Sequence, residues 1–166
     1  MEKVLISSCL LGEKVRYHGG DALCTSPIFK RWKCEDRIVS FCPEVSAGLS
    51  VPRAPCEIIN GDGKSVLIGM AQVVSHKGEN KSKEFIDGAK KALEIAIKFN
   101  IKVAVLKKNS PSCGNKTIYD GTYSGMTTNG SGVTASLLMQ NNIKVFNESE
   151  LDAANEYLAL LERKGK

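Results

Sequence analysis

Six cysteines occur in this chain, yet no two of them form a C-x-x-C pair. That absence removes the zinc ribbon and the ferredoxin pattern. Histidine is scarce too: His18 and His76 are the only two, neither lies near a second zinc-ligand pattern, and both read as surface residues. No apolar run approaches the length of a membrane span. Met1-Glu2-Lys3 leads straight into a strand pattern without the zones of a signal peptide, so a cytoplasmic protein with no membrane partner is expected. Internal repeats, low-complexity tracts and dividing linkers are missing as well, and 166 residues suit one domain spanning 1–166. Neither sign of charge dominates. Lys plus Arg is 23 and Asp plus Glu is 18, a net charge of +5. The lysines are scattered, which describes a solvated surface rather than a face for duplex nucleic acid.

What is present reads as alternating strands and helices. Val4-Leu5-Ile6 is a short aliphatic run ending in Ser7-Ser8-Cys9. Ser26-Pro27 has the form of an N-cap followed by proline at the first helical position, opening a helix through Trp32. A second strand at residues 37–41 ends at Cys42-Pro43, and Val66-Leu67-Ile68, continuing toward Val73-Val74, reads as another. The clearest helix runs from Ser82 to Phe99, with Phe85, Ile86, Ala89, Leu93, Ala96 and Ile97 at helical spacing. Ser82 is its expected cap, and Asn100 its left-handed end. A strand at 102–106 follows, then a helix from about Thr134, a strand at 143–146, and a last helix from Ser149 with Asp152 as its capping partner. The strands are continuous apolar runs, which belong to a mostly parallel sheet covered on both faces. The expected fold is therefore a single three-layer α/β domain, Rossmann-like.

In open α/β sheets, ligands bind at the carboxyl ends of the strands. Cys9, Cys42 and Cys113 each fall at such an end, whereas Cys24, Cys34 and Cys56 do not. A lone cysteine usually packs as a small hydrophobe. Three at one edge of a sheet point instead to a metal site, in a compartment where thiols stay reduced. Thiolates select soft metals, so zinc, copper(I) and iron–sulfur clusters all remain open here. Glu44 follows Cys42 in "CPE", and Ser110 and Ser112 precede Cys113 in "SPSCG", supplying proton-transfer groups beside the ligands.

Other motifs do less. "GDGKS" (residues 61–65) resembles the end of a phosphate-binding loop, but Ile58 stands where that motif needs glycine, and a hairpin turn is the expected role. Cys9 and Arg16 are spaced one residue too far apart for a phosphatase loop. "GSGVTA" (130–135) matches a dinucleotide fingerprint, yet the turn-rich residues 123–129 before it do not read as a strand. The glycine-opened helix start could still hold a polar or anionic substrate group.

Taken together, "SSCLLGEKVRYHGG", "CPEVSAGLSVPRAP", "LKKNSPSCGNKTIYDG" and "GSGVTASLL" resemble the TudS-type family of bacterial 2-thiouracil desulfidases, over most of the chain from Cys9 to Phe146. The resemblance implies a 4Fe–4S cluster held by Cys9, Cys42 and Cys113, with one iron free for the sulfur of a thiolated base. It implies that Glu44 and Ser110 assist proton transfer in a non-redox exchange of sulfur for oxygen. Ser112, Arg53, Gly130 and Gly132 are the candidate contacts to a small-molecule substrate. His18 stands where the family commonly has an acid or its amide, Ala47 where glycine is usual, and Ser82 near a usual threonine. A zinc hydrolase using the same three cysteines and a non-enzymatic cluster or sulfide sensor are the competing expectations.

Overall fold

Alternation along Val4–Ser7 (β1) sends Val4 and Ile6 to one side of a sheet and Leu5 to the other. Ile38–Phe41 (β2), Val103–Leu106 (β5) and Lys144–Asn147 (β8) complete that sheet in the order β2-β1-β5-β8, all parallel. The computed structural model describes residues 1–165, so Lys166, the last residue of the expected domain, lies outside the described residues.

Each face has its own helices. Pro27–Cys34 (α1) and Leu151–Lys164 (α6) bring Phe29, Trp32, Leu151, Ala154 and Leu158 onto Val4, Ile6, Val103 and Val105. Ser82–Lys98 (α4) and Val133–Gln140 (α5) bring Ala92, Ala96, Ala135 and Leu138 onto Leu5, Ala104, Leu106 and Val145. Burying one such large side chain stabilises by roughly 1.5–3 kcal/mol, so two filled faces fix the sheet between its helices. This is the expected mostly parallel α/β sheet with helices around it. Among the described residues, no helix is long and apolar enough to cross a membrane.

A second body of structure flanks the sheet. Cys56–Ile59 (β3) and Gln72–Ser75 (β4) pair antiparallel, and Thr117–Tyr119 (β6) and Thr127–Asn129 (β7) form a hairpin. Ile58, Val66, Val73, Phe85, Ile118 and Val133 form its core. Two expectations fail here. Gly63–Leu67 is a short helix (α3), not a strand, and "GDGKS" is its N-terminus rather than a hairpin turn. Asp62 decides this: its carboxylate accepts the Ser65 amide at 3.1 Å, satisfying a donor the helix start would orphan. Residues 127–129, read as turn, pair with β6.

Two caps also differ. Ser82 Oγ accepts the Val73 amide at 2.9 Å and so ties α4 to β4, while Asn80 Oδ1 accepts the Ser82 amide at 3.0 Å. At α6 the N-cap is Glu150; Ser149 precedes the helix and accepts from Lys108 Nζ, and no side-chain bond caps the helix. Asn100 does end α4 in the left-handed region, at φ 50°.

Candidate active site

The strand order reverses direction between β1 and β5, and the crevice outside their carboxyl ends is where such a fold receives ligands. Three chain segments leave the sheet there. After β1 a single 3-10 turn, Ser8–Leu11, carries Cys9 and stops at Gly12, whose φ of 93° suits a residue without a side chain. After β2, Cys42 opens a one-turn helix, Pro43–Ser46 (α2), with proline at its first position and Glu44 in its first turn. After β5, Asn109 turns the chain at φ 65°, and Ser110 Oγ accepts the amides of Ser112 and Cys113 at 3.1 and 3.2 Å.

That last loop is braced by α5. The amides of Gly132, Val133 and Ala135 donate to the carbonyls of Gly114, Pro111 and Ser112 at 2.7, 2.8 and 3.1 Å. A side chain on Gly132 would lie 2.5 Å from the Ser112 carbonyl carbon, so glycine permits the close approach. The helix start expected to receive a substrate group is thus occupied by the Cys113 loop. Gly130 donates to Lys116 O at 3.0 Å, and neither Gly130 nor Gly132 reaches the cavity.

Cys9, Cys42 and Cys113 all line one cavity of about 330 Å³, a size suited to a small ring. Burial pushes each thiol up, Cys9 to about 11 and Cys113 to about 12, and Cys42 upward as well. Mutual repulsion adds to it: Cys42 raises Cys9, and both raise Cys113. Arg16 and Lys107 oppose the rise at Cys9, and the Ser7 hydroxyl, 3.5 Å from its sulfur, opposes it at Cys113. Three buried, crowded thiols become thiolates readily only around a cationic group. Among the described residues, no three His, Cys, Asp or Glu side chains group tightly enough for a single metal ion. As soft donors lining one cavity, the three thiols suit an iron–sulfur cluster.

A polar chain runs beside the thiols. Glu44 Oε2 accepts from Ser112 Oγ at 3.1 Å, and Ser112 Oγ lies 2.9 Å from Ser110 Oγ. Ser110 already accepts two amides, so its own proton points to Ser112, and the Ser112 proton points to the carboxylate. On the other side, Arg53 Nε donates to Glu44 Oε1 at 3.2 Å. Ser110, Ser112, Glu44 and Arg53 all line the cavity.

Some lining residues have no place in the site expected from the sequence, Cys56 among them. Cys56 of β3, and Tyr119 and Tyr123 of the β6–β7 hairpin, form the outer wall. The buried Glu57 carboxylate accepts the amides of Gly121 and Tyr123 at 2.9 and 3.2 Å, pinning that wall, and Tyr123 OH donates to Val74 O at 2.5 Å. No local pattern announces these contacts, because each depends on a hairpin folding over the sheet edge. His18 and His76 are both exposed, though His76 also meets the cavity rim, its ring edge-on to Tyr123 at 5.3 Å.

Residues 4–150 match the family described as 2-thiouracil desulfurase. The chain belongs to that family. It is 44% identical over 149 residues to the protein YbbK of Bacillus subtilis (strain 168), covering 90% of this chain and 97% of that one. Among solved structures it resembles the [4Fe-4S]-dependent thiouracil desulfidase TudS, with a TM-score of 0.88 and 38% identity over 96% of this chain and 99% of the other.

Proposed function

We propose that this chain is an iron–sulfur enzyme that removes sulfur from a thiolated pyrimidine or similar small thioamide, converting 2-thiouracil to uracil and sulfide. The observation that carries it is the convergence of Cys9, Cys42 and Cys113, from three neighbouring strand ends, on a cavity that also holds Glu44 and Ser110. Membership of the desulfurase family and the likeness to a [4Fe-4S]-dependent desulfidase favour the cluster over the zinc and sensor alternatives.

Cys9, Cys42 and Cys113 would hold a 4Fe–4S cluster, and the cluster supplies a Lewis-acidic iron to the soft thiocarbonyl sulfur. The remaining work belongs to the chain. Water adds its oxygen to the carbon that loses sulfur, so a thiocarbonyl and water become a carbonyl and hydrogen sulfide with no net electron. Glu44 Oε2 takes the proton of that water, held in place by Arg53 on its other oxygen. Ser110 and Ser112, whose hydroxyl protons point toward Glu44, steady the carboxylate through this transfer, and the proton passes from Glu44 to the departing sulfur, which leaves as hydrogen sulfide. Tyr119 and Tyr123 of the outer wall help to exclude bulk water. Reactants of this size arrive as free small molecules, and a site built on free thiols suits the reducing cytoplasm.

The test is anaerobic purification, iron and sulfide analysis, and an assay of sulfide and uracil with and without reductant. Brown protein that turns over without reductant is expected. Glu44→Gln should keep its iron and lose about a hundredfold or more of the turnover. A colourless zinc protein, or a strict need for stoichiometric reductant, overturns the proposal.

A further inference from the structure

Arg53 lines the cavity with all three guanidinium nitrogens engaged. Its side chain is only 8% exposed. Each guanidinium nitrogen donates in a different direction: Nε to Glu44 Oε1 at 3.2 Å, Nη1 to Ser50 O at 3.1 Å, and Nη2 to Val15 O at 3.0 Å. The Arg53 amide also donates to Tyr17 O at 2.8 Å. One residue therefore ties the loop after β1, the segment after α2 and the catalytic carboxylate together.

We infer that Arg53 is a positioning residue that holds Glu44 against Ser112 and makes no bond to the substrate. The inference rests on the reading of Glu44 as the proton carrier. An unpartnered carboxylate at the cavity would swing toward water; the guanidinium offers it a fixed partner on Oε1 and leaves Oε2 to Ser112. Arginine stays charged at any working pH, so its hold on Oε1 does not lapse. The planar fork matters as much as the charge. Lysine carries a single nitrogen and cannot reach Glu44, Ser50 and Val15 in three directions at once. Substrate contact would require breaking one of these bonds, and two of their acceptors are backbone carbonyls with no other partner among the described hydrogen bonds.

The test uses anaerobically purified holoenzyme carrying Arg53→Lys, Arg53→Ala, Glu44→Gln, and Glu44→Gln with Arg53→Lys. Arg53→Lys keeps the charge and guards against a misfolded alanine variant. Four quantities are read: kcat, KM for 2-thiouracil, the Kd of uracil by calorimetry, and the visible absorbance of the cluster. Misplacing a catalytic group by about 1 Å costs on the order of a hundredfold, so kcat should fall roughly ten- to a hundredfold in Arg53→Lys. KM and the uracil Kd should stay within about twofold, since uniform binding is untouched. Cluster absorbance should not change. In the Glu44→Gln background, Arg53→Lys should bring no further loss, because it acts through the carboxylate already removed.

A rise of about tenfold or more in KM and uracil Kd with kcat preserved would make Arg53 a substrate contact and overturn the inference. So would a full, additive loss of kcat on top of Glu44→Gln. Wild-type turnover in Glu44→Gln itself overturns the proton-carrier reading, and this inference with it. Loss in Glu44→Gln beside an altered KM in Arg53→Lys overturns the inference alone.

Discussion

What surrounds each sulfur separates the six cysteines. Cys34 is exposed in the last turn of α1, and Cys24 faces a groove on the β2 side, away from the cavity. Cys56 does face the cavity, but from β3 outside the parallel sheet, with its thiol 3.7 Å from Ala54 O. Cys9 and Cys113 are buried and Cys42 half-buried, and Cys42 raises Cys9 while both raise Cys113. Alanine at any of these three should strip most of the iron from the purified protein, whereas alanine at Cys24, Cys34 or Cys56 should leave it. Iron per chain decides, and full iron in Cys113→Ala would remove that residue from the ligand set. The placement of these three thiols is legible in the sequence, because strand ends can be read from apolar runs and the fold sends ligands to them. The order of the hydroxyl chain is not. It depends on the turn at Asn109 and the two amides that fix the Ser110 proton, which only the folded loop reveals.

At the scale of elements, α4 shows how a helix interior serves the site. Gly88 lies in its middle, where alanine would favour the helix by about 1 kcal/mol. Yet a Cβ there would sit 2.3 Å from Pro43 O, at the start of the one-turn helix that carries Cys42 and Glu44. Overpacking of this kind costs typically about 1–3 kcal/mol, and the displaced backbone is the one that aims a ligand and the carboxylate. Gly88→Ala should therefore lower both Tm and iron content despite its better propensity. Calorimetry and iron analysis on the same preparation check it; an unchanged or higher Tm with full iron would show that α2 shifts without consequence. The period of α4 is legible because 17 residues carry it. Gly63–Leu67 is open to misreading, since five residues cannot distinguish a helical from a strand period and only Asp62 settles the matter. The β6–β7 hairpin escapes for another reason: β7 is polar and exposed throughout, so no apolar pattern marks it.

For the whole molecule, α6 is the strap that closes one face of the sheet, and a carboxylate holds it at each end. Glu150, at its start, accepts from Asn115 Nδ2 at 2.8 Å and the Asn147 amide at 3.1 Å, and pairs with Lys116; Asn115 and Lys116 continue the Cys113 loop. Glu162, near its end, pairs with Arg37 at 2.7 Å and accepts the Glu2 amide at 3.1 Å. Burial pushes the Glu150 carboxyl up, but the bonds from Lys116, Asn115 and Asn147 outweigh it and hold it below its ordinary 4.5. The Arg37 hydrogen bond holds Glu162 below 4.5 as well, with the Glu2 amide and the Arg37 charge adding to it. A carboxyl depressed in the folded state binds its proton more readily in the unfolded one, so its stabilisation is complete above 4.5 and is lost as pH falls through the depressed value. Both ends of α6 thus loosen together in acid. Each pair is partly open to solvent and should contribute no more than about 1 kcal/mol. Glu150→Gln and Glu162→Gln should each be less stable than wild type at pH 7 in urea unfolding. The gap should close once the pH falls below the depressed values, where the wild-type carboxyls are neutral too. A gap of constant size from pH 7 down to pH 3 would show that the two residues act through packing alone. Glu150→Gln should also cost more iron than Glu162→Gln, because only the Glu150 end of the strap reaches the loop that carries Cys113.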